Sequence, residues 1–106
     1  MGDAVVKRCT LDDGTVVVDL RGELDLAIND ALRALLVDTA IRVRPPRIVV
    51  DMLHVTFVDS TGIGALAAGY NAAQSTGVSF TVRHLAPFVA KQLRITGLYD
   101  QLVGTG

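Results

Sequence analysis

The sequence predicts one α/β domain spanning residues 1–106, a sheet of mixed pairing that carries helices. Two observations support this. Short β-branched and apolar runs, bounded by turn residues, alternate with segments whose apolar residues recur at three- and four-residue spacing. Strands alternating with helices of about 10–15 residues are the pattern of a partly parallel sheet. Half of the 106 residues are hydrophobic and a fifth are charged. A chain of this size buries roughly two-thirds of its unfolded surface and can fold without a disulfide or a metal.

The elements follow in order. Ala4 to Leu11 begins β-branched and reads as a strand, Asp12-Asp13-Gly14 as a turn, and Thr15 to Arg21 as a second strand, forming a hairpin. Gly22-Glu23-Leu24-Asp25 is expected to break that strand and lead into a helix. From Ile28, apolar residues recur at Leu32, Leu35, Leu36 and Val43, with Asp30, Arg33, Asp38 and Arg42 opposite, so one stripe of this helix is buried. Pro45-Pro46 ends it. Arg47 to Met52 has the continuous apolar centre of a strand covered on both faces, and Val55 to Val58 is a short bridge to the next element. A second helix runs from about Thr61 to Gln74, with Ile63, Leu66, Ala67, Tyr70 and Ala73 on one stripe, and Ser75-Thr76-Gly77 closes it. Val78 to Val82 is a strand. Pro87 suits the first turn of a third helix and Gly97 its C-terminal cap. Leu98 to Val103 is a short closing element. The order is β-β-α-β-α-β-α, with no linker and no repeat.

Composition narrows the function. Ten basic and eleven acidic residues leave a net charge of −1, with none of the basic excess that marks a nucleic-acid binder. The single Cys9 cannot close an internal disulfide. No charge occurs from Ser60 to Val82, but Asn71, Gln74, Ser75, Thr76 and Gly77 divide that stretch. Its apolar part, Ile63 to Ala73, is well short of the about 20 residues a membrane span needs. Small-residue spacings there, Gly64 with Ala68 and Ala65 with Gly69, suit a helix lying close to a sheet. Met1-Gly2-Asp3-Ala4 lacks the basic and apolar regions of a leader peptide. The expectation is a cytoplasmic monomer that engages neither nucleic acid nor membrane.

The chemically informative stretch is Phe57-Val58-Asp59-Ser60-Thr61-Gly62-Ile63-Gly64. It sets a hydroxyl beside a carboxylate where a strand ends and a helix begins. Two glycines in a first helical turn cost about 1 kcal/mol each relative to alanine. A sequence tolerates them where backbone must approach something closely or where bulk beside the hydroxyl must be low. A helix N-terminus offers unpaired N–H groups and the positive end of the dipole, a favourable field for a phosphate on Ser60 despite Asp59. The plain alternative is that Asp59 or Ser60 only caps a buried helix. A nucleophile elbow needs glycine where Val58 stands, and neither His54 nor His84 is marked as its base. A phosphate-binding loop needs a lysine, and none lies near this turn. His84 has no second ligand at metal spacing, and no residue set requires a cofactor. Asp25 either caps the first helix or shapes the acceptor site. Glu23 reads as an exposed strand-end charge, Asp51 as a residue near a strand end, and His54 as solvated in a loop. Cys9 reads as half-buried, and Tyr70 and Phe88 as core.

Asp59-Ser60-Thr61-Gly62-Ile63-Gly64, with Ile48 to Met52 and Gly22-Glu23-Leu24-Asp25 before it and Leu93-Arg94-Ile95-Thr96-Gly97-Leu98 after it, resembles the STAS domain of anti-sigma-factor antagonists. The resemblance covers nearly the whole chain. It implies a four- to five-stranded mixed sheet flanked by about three to four helices. It also implies a role in partner switching rather than catalysis. In that family the serine of this motif, here Ser60, accepts phosphate. The unphosphorylated antagonist binds an anti-sigma factor that is itself a serine kinase, and so frees a sigma factor. Phosphorylation weakens the complex and a serine phosphatase restores it. Partner contacts are then expected at Asp25, Asp59, Ser60, Thr61, Gly62, Ile63 and Gly64. A STAS domain can instead be an accessory subunit of a transporter or a larger signalling assembly.

Overall fold

The computed structural model describes residues 5–103; the strand start expected at Ala4 and the leader reading at Met1 to Ala4 lie outside them. The elements are β1 (Val5–Thr10), β2 (Val16–Leu24), α1 (Leu26–Asp38), β3 (Arg47–Val58), α2 (Ser60–Thr76), β4 (Ser79–Arg83), α3 (Pro87–Thr96) and α4 (Tyr99–Val103). They form a four-stranded sheet in the order β1-β2-β3-β4. The β1–β2 pair is antiparallel, while β2–β3 and β3–β4 are parallel.

The hairpin closes as its turn residues require. Leu11 N–H donates to Thr15 O at 2.8 Å, and the Asp13 carboxylate accepts from Thr15 N–H at 2.9 Å. In register, Val16, Ile48 and Phe80 form one row across the sheet, and Val18, Val50 and Val82 the next. Both rows, with Leu20 and Met52, face one core shared with Leu32, Leu36, Ile63, Leu66, Val89, Leu93 and Leu102 of the four helices. Successive strand side chains point to opposite faces, so Val17, Val49 and Thr81 stand on the other face, outside that core. The cover expected on both faces of β3 comes from helices on one face only. Val49 is nevertheless buried; its register partners Val17 and Thr81 flank it on that face.

Two strands run further than expected. β2 continues through Gly22-Glu23-Leu24, and β3 is continuous from Arg47 to Val58 rather than a strand followed by a bridge. Register shifts between Asp19 and Arg21 and between Gly22 and Glu23 leave unpaired residues on β3. Such bulges break the two-residue alternation that marks a strand in sequence. Gly22 meets one of them at φ +86°, a conformation that side chains disfavour.

α1 buries Leu32 and Leu36, with Ile28 and Leu35 packed beside them. Its continuation, Thr39–Val43, is a π-helical turn closed by Arg44 N–H to Thr39 O at 2.9 Å. The wider turn shifts the helical phase, and Val43, expected on the buried stripe, is exposed. In α2, a Cβ on Gly69 would lie 2.9 Å from Leu36 Cβ and 3.1 Å from Phe80. Gly69 is therefore what lets α2 lie against both α1 and the sheet. Tyr70 packs edge-on to Phe80, whereas Phe88, expected in the core, is exposed. Among the described residues no helix is long and apolar enough to cross a membrane.

Candidate functional site

β2 and β3 run parallel with Leu24 opposite Val58, so their carboxyl ends lie side by side at one edge of the sheet. Each strand ends on an aspartate in extended conformation. Asp25 caps α1 by accepting from Ile28 N–H at 3.0 Å. Asp59 caps α2, accepting from Thr61 N–H at 2.9 Å and from Gly62 N–H at 3.3 Å. Asp59 is thus the cap, and Ser60 is the first helical residue.

The two neighbouring hydroxyls both belong to exposed residues and differ in their hydrogen bonding. Ser60 is exposed, and its hydroxyl makes no hydrogen bond among the described residues. The Thr61 hydroxyl donates to Asp59 Oδ1 at 2.5 Å and accepts from Asn29 Nδ2 at 2.7 Å. Donation from that hydroxyl, then from the Gly62 and Thr61 amides, holds the Asp59 carboxyl below its ordinary range against a smaller upward push from desolvation. The first-turn amides expected to receive a phosphate are therefore already engaged. Thr61 and Gly62 donate to the Asp59 side chain, and Ile63 N–H donates to Asp59 O at 3.2 Å. A phosphate on Ser60 would meet three first-turn amides that already have partners, beside the Asp59 carboxylate.

The glycines differ from one another. A Cβ on Gly62 would lie 2.3 Å from Val58 Cγ2, so this position must be glycine for the helix to start where it does. At Gly64 a Cβ would meet nothing within 4 Å, and Gly64 lines an open groove between α1 and α2 with Leu26, Arg33 and Thr61. On the other flank, Ser60 and Ile63 share a shallow apolar depression of about 240 Å³ with Gln92, Ile95 and Thr96 of α3. Ile95 is 74% exposed and Leu26, at the start of α1, 62%. The expected set of Asp25, Asp59, Ser60, Thr61, Gly62, Ile63 and Gly64 is thus gathered along one edge of the sheet.

Sequence reasoning missed two contributors. Asn29 is buried, and its Nδ2 donates to Leu24 O at 3.1 Å and to Asp59 Oδ1 at 3.4 Å as well as to Thr61. Its spacing to Leu32 and Leu36 places it on their face of α1, and that was the available signal. Ile95 falls off the Val89–Leu93 stripe of α3, where an apolar residue has no packing reason.

The remaining candidates lie elsewhere. Asp51 sits inside β3, not near its end, accepting from Leu53 N–H at 3.0 Å and pairing with Arg83 and His84. Burial pushes its carboxyl up, but Leu53, His84 and Arg83 together outweigh that and leave it lowered. Glu23 is exposed near the end of β2, and His54 is exposed but within β3 rather than a loop. Cys9 is exposed on β1, not half-buried, because its side chain points to the face without helices. Among the described residues no group of three or more His, Cys, Asp or Glu side chains could hold a metal.

Known proteins share this fold. Residues 8–104 match the family described as Mlab, STAS domain. An anti-sigma F factor antagonist from Paenibacillus polymyxa is 29% identical over 86 residues, covering 81% of this chain and 74% of its own. An anti-sigma factor antagonist from Mycobacterium paratuberculosis superposes with a TM-score of 0.71 at 27% identity, over 100% of this chain and 87% of its own. The phosphorylated form of the Bacillus cell fate determinant SpoIIAA has the same fold, with a TM-score of 0.78 at 20% identity over 96% of this chain and 92% of its own. With a family match across almost all of its length and the family's fold, this chain belongs to the STAS domain family.

Proposed function

We propose that this chain is a cytoplasmic anti-sigma-factor antagonist whose binding is switched by phosphate on Ser60. Unphosphorylated, it binds an anti-sigma factor that is also a serine kinase and releases a sigma factor. Phosphorylated, it lets go until a serine phosphatase resets it. The chain is then a substrate, not an enzyme. The observation that carries this reading is the contrast between an exposed, unbonded Ser60 hydroxyl and a Thr61 hydroxyl held from both sides.

The electrostatics supply the switch. A phosphate adds about −1.5 to −2 charge beside Asp59, on the edge that also holds Asp25 and Glu23. A partner surface that accepted a neutral hydroxyl must then desolvate or repel that charge. A loss of about 100-fold in affinity needs only about 2.7 kcal/mol, within reach of one buried unpaired charge. With the first-turn amides already bonded, no rearrangement of the domain is needed.

The test is phosphate transfer from ATP and Mg²⁺ by candidate anti-sigma kinases, read by intact mass and site mapping. One phosphate on Ser60, absent in Ser60→Ala, is expected. No phosphate from any kinase that binds the chain would overturn the switch, and would leave Ser60 the start of a helix in a transporter or assembly module.

A further inference from the structure

We infer that Asn29 is a positioning residue that selects Ser60 over Thr61 as the phosphate acceptor. The inference rests on the proposed function and goes beyond it, because it assigns the choice between adjacent hydroxyls to a side chain on a different helix. Phosphoryl transfer requires a hydroxyl oxygen to attack the terminal phosphorus of the kinase's ATP. The new O–P bond forms as the bond to ADP breaks, and the hydroxyl proton passes to a base. Both hydroxyls stand at the start of α2, and Thr61 has a carboxylate base already in contact. On that ground alone Thr61 would be the better nucleophile.

Asn29 reverses the order. Its amide donates to Thr61 Oγ1 at 2.7 Å, so it occupies one of the two lone pairs of that oxygen, draws electron density from it and fixes its direction. The amide is itself fixed: Asn29 is 2% exposed, and it donates to Leu24 O at 3.1 Å, the last carbonyl of β2. Its own Oδ1 is buried and has no partner among the described residues, close to Gly62. Leaving a buried acceptor unpaired is unfavourable, and a side chain retained at that cost has a use for its donor. Thr61 is thereby locked between Asn29 and Asp59, while Ser60, one residue earlier, is left with no restraint.

Four chains decide the matter under the same kinase: wild type, Ser60→Ala, Asn29→Leu and the Ser60→Ala/Asn29→Leu double variant. Leucine keeps the branching of the side chain, at a larger volume, and removes the donor; Asn29→Ala repeats the comparison should leucine disturb the packing. Wild type is expected to carry phosphate on Ser60 only and Ser60→Ala to carry none. The double variant is expected to gain phosphate on Thr61. Asn29→Leu alone is expected to divide its phosphate between the two positions. A purely structural role for Asn29 would lower melting temperature and phosphate yield without moving the site. Phosphate on Ser60 of Asn29→Leu with none on Thr61 of the double variant overturns the inference and leaves the proposed function standing. A wild-type chain that takes no phosphate overturns both. Independently of any kinase, the Thr61 hydroxyl proton should exchange slowly enough to be seen by NMR in wild type and be lost in Asn29→Leu. Its absence in wild type would mean that no lock exists.

Discussion

The junctions β2–α1 and β3–α2 start from the same plan and end as different objects. In each, a buried apolar residue ends a parallel strand, an extended aspartate caps a helix, and an exposed residue begins it. Asp25 accepts one amide, from Ile28, and its helix begins with Leu26. Asp59 accepts from two amides, the Thr61 hydroxyl and Asn29, and its helix begins with Ser60. An aspartate cap by itself is therefore no mark of a site, since both junctions have one. What distinguishes β3–α2 is the network around its cap, which engages the Thr61 hydroxyl and the first-turn amides and leaves the Ser60 hydroxyl without a partner among the described residues.

The largest expected effect comes from placing charge on that one unengaged position. Ser60→Asp should weaken binding to the anti-sigma partner by up to about 100-fold, or about 2.7 kcal/mol, less if the smaller charge of aspartate limits it. Titration calorimetry against the partner measures it, and circular dichroism should show an unchanged fold. Wild-type affinity in this variant would remove the electrostatic distinction between the junctions.

Next is the third helical residue, half-buried Ile28 in one junction and Gly62 in the other. Gly62→Ala forces a methyl to 2.3 Å from Val58 Cγ2, and overpacking of this kind costs about 1–3 kcal/mol. Chemical denaturation should show that loss, with a matching drop in phosphate acceptance as the start of α2 shifts. Ile28→Ala, which only removes volume beside the core, should leave phosphate acceptance unchanged. A Gly62→Ala chain as stable as wild type would mean that Val58 can yield and that glycine is not required for the geometry.

Much of this comparison was legible in the sequence, and the gaps have physical causes. The hairpin, the Pro45-Pro46 stop, α3 between Pro87 and Gly97, and the Asp59-Ser60 junction follow from turn chemistry and helical spacing, which are local. β3 was misread because bulges interrupt its alternation, and Val43 because a π-helical turn shifts the phase of its stripe. Each exception is set by a tertiary fit that leaves no periodic trace. The seven expected site residues meet at one edge because two parallel strands end in register. Asn29 escaped notice because asparagine on a core-facing helix position reads as noise in an apolar stripe until its partners on α2 are known. Sequence showed that hydroxyls sit at this junction; only the hydrogen bonds show which of them is free.

The smallest expected effect is the acid response of the Asp59 network. Its carboxyl is held below the ordinary range by hydrogen bonds that form in the folded chain. A carboxyl whose folded pKa is depressed binds fewer protons folded than unfolded. Its contribution to stability is therefore present above the unfolded value of about 3.9 and is lost as pH falls through the folded value. Asp59→Asn keeps an oxygen acceptor for Thr61 and Gly62 but removes the charge, and so this pH response. The gap in melting temperature between wild type and Asp59→Asn should stay constant above about pH 5 and close at lower pH. Asp51 and Asp13 are also lowered and remain in both chains, so both melt lower in acid and only the gap is diagnostic. A gap that persists unchanged to about pH 2 would show that geometry, not charge, is what Asp59 contributes. The two junctions would then differ only in how many donors their aspartates hold.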